Sequence, residues 1–427
     1  MNVTVIGMGK IGLPLAVNFA QHGAKVTGLD LQEHVVFQIN EGTEPFPGEE
    51  NLAKFLKECT NNGSLIATTD QVNGISKAEV IVICIPLTTD SNGNPDFQNI
   101  DKLVEEIGKH ISPGGLVCFE TTLPVGTTRN RFTPAIESAS GLKVGQDFSV
   151  VFSPERVFTG RIFRDLRRYP KLVGGVTSAC ARKGVKFYET FLTFDLRPDL
   201  AKPNGVWVMK SAEAAEVAKI AETTYRDVNI GLANEFAAYA SQVGVDILEV
   251  IQASNSQPYS NIHSPGISVG GHCIPIYSQF YMWSNEQSQI AMAARKRNSG
   301  GPAFAIRKIE EMVGSLNGLT IGIMGVSYRS GAKETAFSGS LELLKLLKDR
   351  GATVEGFDPL FTQGELVNFG FSGEGNLDKL QGIIVHNGDP LFAEIEYSKL
   401  EKLRFIFDGR YILKDLVQDF RGAYLSP

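Results

Sequence analysis

The stretch His22-Gly23-Ala24-Lys25-Val26-Thr27-Gly28-Leu29-Asp30 returns near the other end of the chain as Arg350-Gly351-Ala352-Thr353-Val354-Glu355-Gly356-Phe357-Asp358. Each copy follows a short apolar run that ends in glycine: Val3 to Gly9 resembles Leu319 to Gly325. A glycine-ended apolar run, a helix-length spacer, then a second short run closed by Asp is the pattern of a β-α-β unit. A chain that writes this pattern twice is expected to be α/β, with two doubly wound Rossmann-like domains. Between the copies, Ala212 to Ser241 has no proline and a single glycine, Gly231. Its Ala/Glu/Lys-rich periodicity predicts one long central helix of roughly 45 Å joining the two domains. The 427 residues then divide into an N-terminal domain over 1–200, a central helical segment over 201–300 and a C-terminal domain over 301–427. Ser299-Gly300-Gly301-Pro302 is the expected turn at the last boundary.

The first copy contains Gly7-Met8-Gly9-Lys10-Ile11-Gly12 between its strand and its helix. Such glycines permit a tight turn and let the backbone approach a pyrophosphate at the helix N-terminus. Asp30, at the end of the next strand, can bond a ribose 2′-OH and would repel a 2′-phosphate, so NAD is expected rather than NADP. The second copy lacks the glycine loop, and a nucleotide or sugar nucleotide is the better expectation there. Further strands are expected at Glu79 to Ile85, Leu116 to Glu120 and Ser149 to Phe152, each ending in a polar loop. Ligands of open α/β sheets sit outside the carboxyl ends of such strands. Pro86 and Thr88, then Thr121 and Thr122, then Ser153-Pro154-Glu155-Arg156 therefore join the candidates.

Gly270-Gly271-His272-Cys273-Ile274-Pro275 offers a nucleophile downstream, read as a loop. A thiolate can trap an aldehyde as a thiohemiacetal, which a nicotinamide oxidises to a thioester. The five cysteines, Cys59, Cys84, Cys118, Cys180 and Cys273, have no paired zinc spacing. They read as reduced thiols of a cytosolic protein, with no metal site expected. A net charge of −6 gives no global basic field for nucleic acid or a membrane surface. No apolar run nears the roughly 18 residues of a membrane span, and no signal peptide precedes the first strand.

Taken in order, these motifs resemble the UDP-glucose/GDP-mannose dehydrogenase family. The resemblance rests on Gly7 to Gly12 with Asp30, Thr121-Thr122-Leu123-Pro124-Val125-Gly126-Thr127-Thr128, Ser153-Pro154-Glu155-Arg156-Val157, the helix from Ala212, Gly270 to Pro275, and Gly325-Val326-Ser327-Tyr328-Arg329. The Ser-Pro-Glu-Arg-Val form is closest to the branch acting on UDP-N-acetylhexosamines. The resemblance implies a four-electron oxidation of a sugar C6 alcohol to a carboxylate with two NAD⁺. UDP-N-acetylglucosamine or UDP-N-acetylmannosamine is the preferred substrate, and UDP-glucose the main alternative. It implies Cys273 as nucleophile, Glu155 handling the hydrolytic water, and Lys219 and Thr223 stabilising the alkoxide and oxyanion. Thr122 would place the water. Arg156, Val157, Lys219, Asn261, Gly270, Gly271, Tyr328 and Arg329 would contact the UDP-sugar, and the long helix would support a homodimer. The family usually has Asn at Thr223 and Asp at Tyr277. A binding protein without turnover, or a one-step alcohol dehydrogenase, are the alternatives of other kinds.

Overall fold

A computed structural model of the protein describes residues 1–90 and 92–427. The chain forms two compact units, Met1–Glu222 and Thr223–Pro427. The first is built on strands β1 (Asn2–Ile6), β2 (Lys25–Leu29), β3 (Leu65–Thr68), β4 (Val80–Ile83), a small hairpin of β5 (Thr88–Thr89) and β6 (Pro95–Asp96), then β7 (Leu116–Phe119), β8 (Ser149–Phe152), β9 (Lys171–Gly175) and β10 (Val206–Met209). Eight of these form one sheet in the order β10-β9-β8-β7-β4-β1-β2-β3. All neighbours are parallel except β8 and β9. The central strands are apolar throughout and buried on both faces, as a parallel sheet covered by helices requires. The order reverses beside β1, where β2 lies on one side and β4 on the other. Ile6 pairs with both Leu29 and Ile83. This register places Gly7, Asp30 and Cys84 together just past the carboxyl ends of three adjacent strands.

The second unit repeats the plan with β11 (Thr320–Met324), β12 (Thr353–Phe357), β13 (Gly382–Val385), β14 (Phe405–Asp408) and β15 (Ala423–Leu425). Its order is β12-β11-β13-β14-β15, all parallel. The two copies match in backbone as well as in text: Asn2 pairs with Lys25 as Thr320 pairs with Thr353. The first half of the repeat nevertheless aligns differently from the expectation. Gly325 takes the place of Gly7, not of Gly9, and both have φ +91°. The turn after the strand dictates the alignment, because only glycine adopts that φ without strain.

Two local expectations also change. Ser299–Pro302 is not an open turn: one helix ends at Ser299, the next begins at Gly301, and only Gly300 lies between them. Pro302 sits in a helical first turn, where its missing N–H has no intrahelical partner to lose. Cys273 is not in a loop but begins the helix Cys273–Ser284, for the same reason at Pro275. The long helix runs unbroken over Ala212–Val243, 32 residues. No helix among the described residues is long and apolar enough to cross a membrane.

In the second unit, His386 is 1% exposed. Its Nδ1 lies 3.0 Å from the Gly325 carbonyl and its Nε2 3.1 Å from Ser268 Oγ. Burial, aided by the Arg410 charge, pushes the imidazole from 6.5 down to about 3. A depressed folded-state value makes this a stabilising contribution above the unfolded value, lost as pH falls from 6.5 towards 3. In urea titrations the wild type is expected to lose about 3 kcal/mol more than His386→Gln between pH 7 and about pH 4. Equal losses in the two proteins would contradict this account.

Candidate active site

Each glycine of the first loop answers to a separate constraint. Gly7 turns the chain with φ +91°, and its N–H donates to the Leu29 carbonyl at 2.8 Å. A Cβ on Gly12 would lie 1.9 Å from the Gly7 carbonyl oxygen, so the helix Gly12–Gln21 can start this close to the strand only with glycine there. A Cβ on Gly9 would meet no atom within 4 Å. That open face beside a helix N-terminus is the cradle a pyrophosphate requires. Lys10 and Ile11 complete the loop. Asp30 closes it, with Oδ2 accepting from Met8 N at 2.9 Å and Oδ1 from Gln32 N at 3.0 Å. Each oxygen keeps a lone pair for a ribose hydroxyl. The residues present fit a dinucleotide.

The second copy is filled instead. Asp358 Oδ2 accepts from Val326 N, Ser327 N and Ser327 Oγ at 2.6–2.8 Å, and a Cβ on Gly325 would lie 2.2 Å from Asn387. No open cradle like that at Gly9 is left at this turn.

Asp30→Asn removes the charge at nearly constant shape and keeps one of the two backbone contacts, because an amide has a single acceptor oxygen. The NAD⁺ to NADP⁺ preference in kcat/KM is expected to fall at least tenfold, about 1.4 kcal/mol, because repulsion of a 2′-phosphate goes with the carboxylate. An unchanged preference would show that Asp30 does not face the ribose.

Around this crest the other motifs assemble. Pro86 and Thr88 are exposed after β4. Thr121, after β7, donates its hydroxyl to the Ile85 carbonyl and ties the two strand ends together. Thr122 beside it is 3% exposed. The rest of that motif is held by Glu216 of the long helix. Its buried carboxylate accepts from Gly126 N at 2.6 Å, Thr128 N at 3.0 Å and Thr128 Oγ1 at 2.7 Å. Burial raises the Glu216 carboxyl above its ordinary range, against the pull of these donors.

Glu155 follows β8. Its N–H donates to the Glu120 carbonyl at 3.2 Å, and its own carbonyl accepts from Lys219 Nζ at 2.7 Å. Its Oε1 accepts from Arg156 N at 2.7 Å, while the Arg156 side chain turns to Glu222 at 2.8 Å. Arg156 is thus bound to the long helix, and Val157 is half-buried beside it. The structure brings Glu155, Arg156 and Lys219 into one cluster in the first unit.

Two residues complete this cluster that the motif reading passed over as chemistry. Lys171, at the start of β9, is 4% exposed, and its ammonium reaches Glu155 Oε2 at 2.9 Å and also Glu120 Oε2. Tyr188 donates to Glu120 Oε1 at 2.6 Å. Burial pushes the Glu120 carboxyl up to about 7, against the attraction of Lys171. Lys171 is itself desolvated, yet the two carboxylates hold it above the ordinary lysine range. Lys171 opens an otherwise apolar strand, where a solvated lysine reads the same in sequence.

The second unit holds the remaining candidates. Thr223 is wholly buried on the long helix, and Cys273 is exposed at the first turn of its own helix. Tyr277 lies four residues on, its ring 5.7 Å from that of Phe280. Gly270 and Gly271 are obligatory: a Cβ on either would lie 2.7–2.9 Å from the Tyr328 side chain, and Gly271 N donates to the Ala336 carbonyl at 2.8 Å. Arg329 Nε donates to Tyr328 Oη at 2.9 Å. The Asn261 side chain is exposed, and its carbonyl accepts from Asn229 Nδ2 at 2.7 Å.

Comparison with known proteins agrees with this geometry. Residues 1–192 match the NAD binding domain of the UDP-glucose/GDP-mannose dehydrogenase family, residues 213–299 its central domain and residues 322–415 its UDP binding domain. A UDP-N-acetyl-D-mannosamine dehydrogenase of Pyrococcus horikoshii is 32% identical over 424 residues, covering 97% of this chain and 96% of the relative. The solved structure of UDP-D-ManNAc dehydrogenase from that organism has a TM-score of 0.89 at 30% identity, over 100% of this chain and 99% of the other. The UDP-N-acetyl-mannosamine dehydrogenase of Staphylococcus aureus gives a TM-score of 0.85 at 26% identity, over 100% and 98%. The fold and its glycine cradle are those of an NAD-dependent UDP-sugar dehydrogenase. The chain belongs to the UDP-glucose/GDP-mannose dehydrogenase family.

Proposed function

We propose that the enzyme oxidises the C6 alcohol of UDP-N-acetyl-D-mannosamine to the carboxylate, in two hydride transfers with a covalent intermediate on Cys273. NAD⁺, which Gly7, Gly9, Gly12 and Asp30 would hold, would supply the hydride acceptor for each oxidation. Lys219 steadies the alkoxide as the alcohol loses its proton, and an aldehyde results. The Cys273 sulfur then adds to the aldehyde carbon, giving a thiohemiacetal, and the second hydride leaves a thioester. Glu155 takes a proton from water as the water oxygen attacks the thioester carbon. The carbon–sulfur bond breaks, and sulfur departs as thiolate. The sum is one alcohol, two NAD⁺ and one water going to one carboxylate, two NADH and three protons. Thr122 and Thr223 are proposed to place the water and the oxyanion.

The observation behind this reading is an exposed cysteine at a helix start, in a chain whose Glu155 and Lys219 are fixed by backbone-level contacts. The relatives above favour the N-acetylmannosamine substrate. Tyr225, Leu232, Phe236, Tyr239 and Val243 form an exposed apolar stripe on the long helix. Such a stripe supports a homodimer, which a mass measurement in solution tests. Five unpaired thiols fit a reducing, cytoplasmic setting. The primary test is NADH yield and product mass with UDP-ManNAc, UDP-GlcNAc and UDP-glucose. Two NADH per UDP-ManNAc and a new carboxylate are expected. One NADH with an aldehyde product, or preference for another sugar, would overturn the mechanism or the substrate respectively.

A further inference from the structure

We infer that Lys171 is the positioning residue of the hydrolytic step, holding the Glu155 carboxylate in place through a buried chain that runs Tyr188–Glu120–Lys171–Glu155. The inference rests on the role proposed above for Glu155. The chain is closed at every atom. Tyr188 is wholly buried, and its hydroxyl fills Glu120 Oε1. Glu120 Oε2 and Glu155 Oε2 share the Lys171 ammonium, which also stands 4.9 Å from the centre of the Tyr188 ring. Glu155 Oε1 is held from its other side by Arg156 N. A carboxylate fixed at both oxygens has one orientation, so a water bound to it has one line of attack. Without Lys171, two buried carboxylates would face each other with no cation between them.

The same chain responds to pH. Glu120 is faced by Lys171 from β9, Glu155 from the loop after β8, Tyr188 from the helix Ser178–Phe191, Cys84 from the loop after β4, and Cys118 from its own strand. Lys171 opposes one or two negative charges according to whether Glu120 keeps its proton, and that proton is held up to about pH 7. When Glu120 ionises, it competes with Glu155 for the one ammonium, and the Glu155 oxygen is freer to accept from water. Hydrolysis should therefore quicken as pH rises through neutrality.

The test uses the full-length enzyme with UDP-ManNAc and NAD⁺, comparing wild type, Lys171→Met, Lys171→Arg and Glu120→Gln. Lys171→Met is expected to slow kcat about 100-fold, with both KM values within about threefold. A covalent sugar adduct on Cys273 should accumulate in the intact-protein mass. Lys171→Arg should recover at least tenfold of that loss. Glu120→Gln keeps an acceptor oxygen for Lys171 and turns its amide to donate to the Tyr188 hydroxyl. It is the variant to use if Lys171→Met does not fold; its kcat profile should lose the rise near pH 7. Wild-type kcat and pH profile in both Lys171→Met and Glu120→Gln, or slow turnover with no adduct, would overturn the inference while leaving the proposed function standing. A wild-type enzyme that yields no NADH would overturn the proposed function, and the inference with it.

Discussion

Cys273→Ala is expected to end carboxylate formation, lowering it roughly 10³-fold or more, as removal of a covalent nucleophile does. The loss should be chemical rather than structural. Cys273 is exposed, so the melting temperature should stay within the range of a surface substitution. At most one NADH per sugar should form, with the aldehyde as its product. Cys273→Ser offers an oxygen in the same place, but an alkoxide is a poorer leaving group than a thiolate, so an ester would hydrolyse slowly. The other four cysteines serve as controls. Cys59, Cys118 and Cys180 are buried and Cys84 is half-buried. Burial raises the thiols of Cys59, Cys84 and Cys118, which makes them poor nucleophiles. Iodoacetamide at neutral pH should therefore mark Cys273 first and stop turnover in proportion. Full four-electron yield from Cys273→Ala would remove the thioester from the mechanism.

Much of this site was legible because its parts are local. Gly7 to Gly12 and Asp30 belong to one β-α-β unit, and parallel register alone brings Asp30 back to the loop. The same rule made the C-terminal copy readable through Asp358. What sequence could not give is contact at a distance. Lys171 is 51 residues from Glu120 and 16 from Glu155. Nothing in Lys171-Leu172-Val173-Gly174-Gly175 separates a solvated strand end from a buried ammonium. Glu216 likewise reads as one polar residue of a helix, until it meets Gly126 and Thr128 some 90 residues back. Pro275 and Pro302 stand inside the first turns of helices, where a loop and a turn were expected. The class of enzyme was thus set by short-range pattern, whereas the ion-pair partner of Glu155 was set by the sheet order.

Two one-carbon substitutions in the glycine loop should separate folding from cofactor binding. Gly12→Ala places a methyl carbon 1.9 Å from the Gly7 carbonyl oxygen and 3.2 Å from Cys84 Cβ. Neither neighbour is free to move, since Gly7 N is bonded to Leu29 and Cys84 N to the Ile6 carbonyl, both at 2.8 Å. The helix must shift away from β1, at a cost of about 3 kcal/mol or more for an overpacked core. Gly12→Ala is therefore expected to be poorly folded, with a lower urea midpoint whether or not NAD⁺ is present. Gly9→Ala is the opposite case. Its methyl meets nothing within 4 Å and its φ needs no glycine, so stability should change by less than about 0.5 kcal/mol. The methyl instead enters the space above the helix N-terminus where the pyrophosphate must approach. The Kd for NAD⁺ should rise at least tenfold, and the thermal shift produced by NAD⁺ should shrink to match. If Gly9→Ala binds NAD⁺ as well as the wild type, the open face is not the cofactor's cradle. If Gly12→Ala is as stable as the wild type, the close helix–strand approach is not what glycine is needed for. With both results as expected, adjacent members of one motif act on different quantities: one on whether the sheet closes, the other on what it can hold.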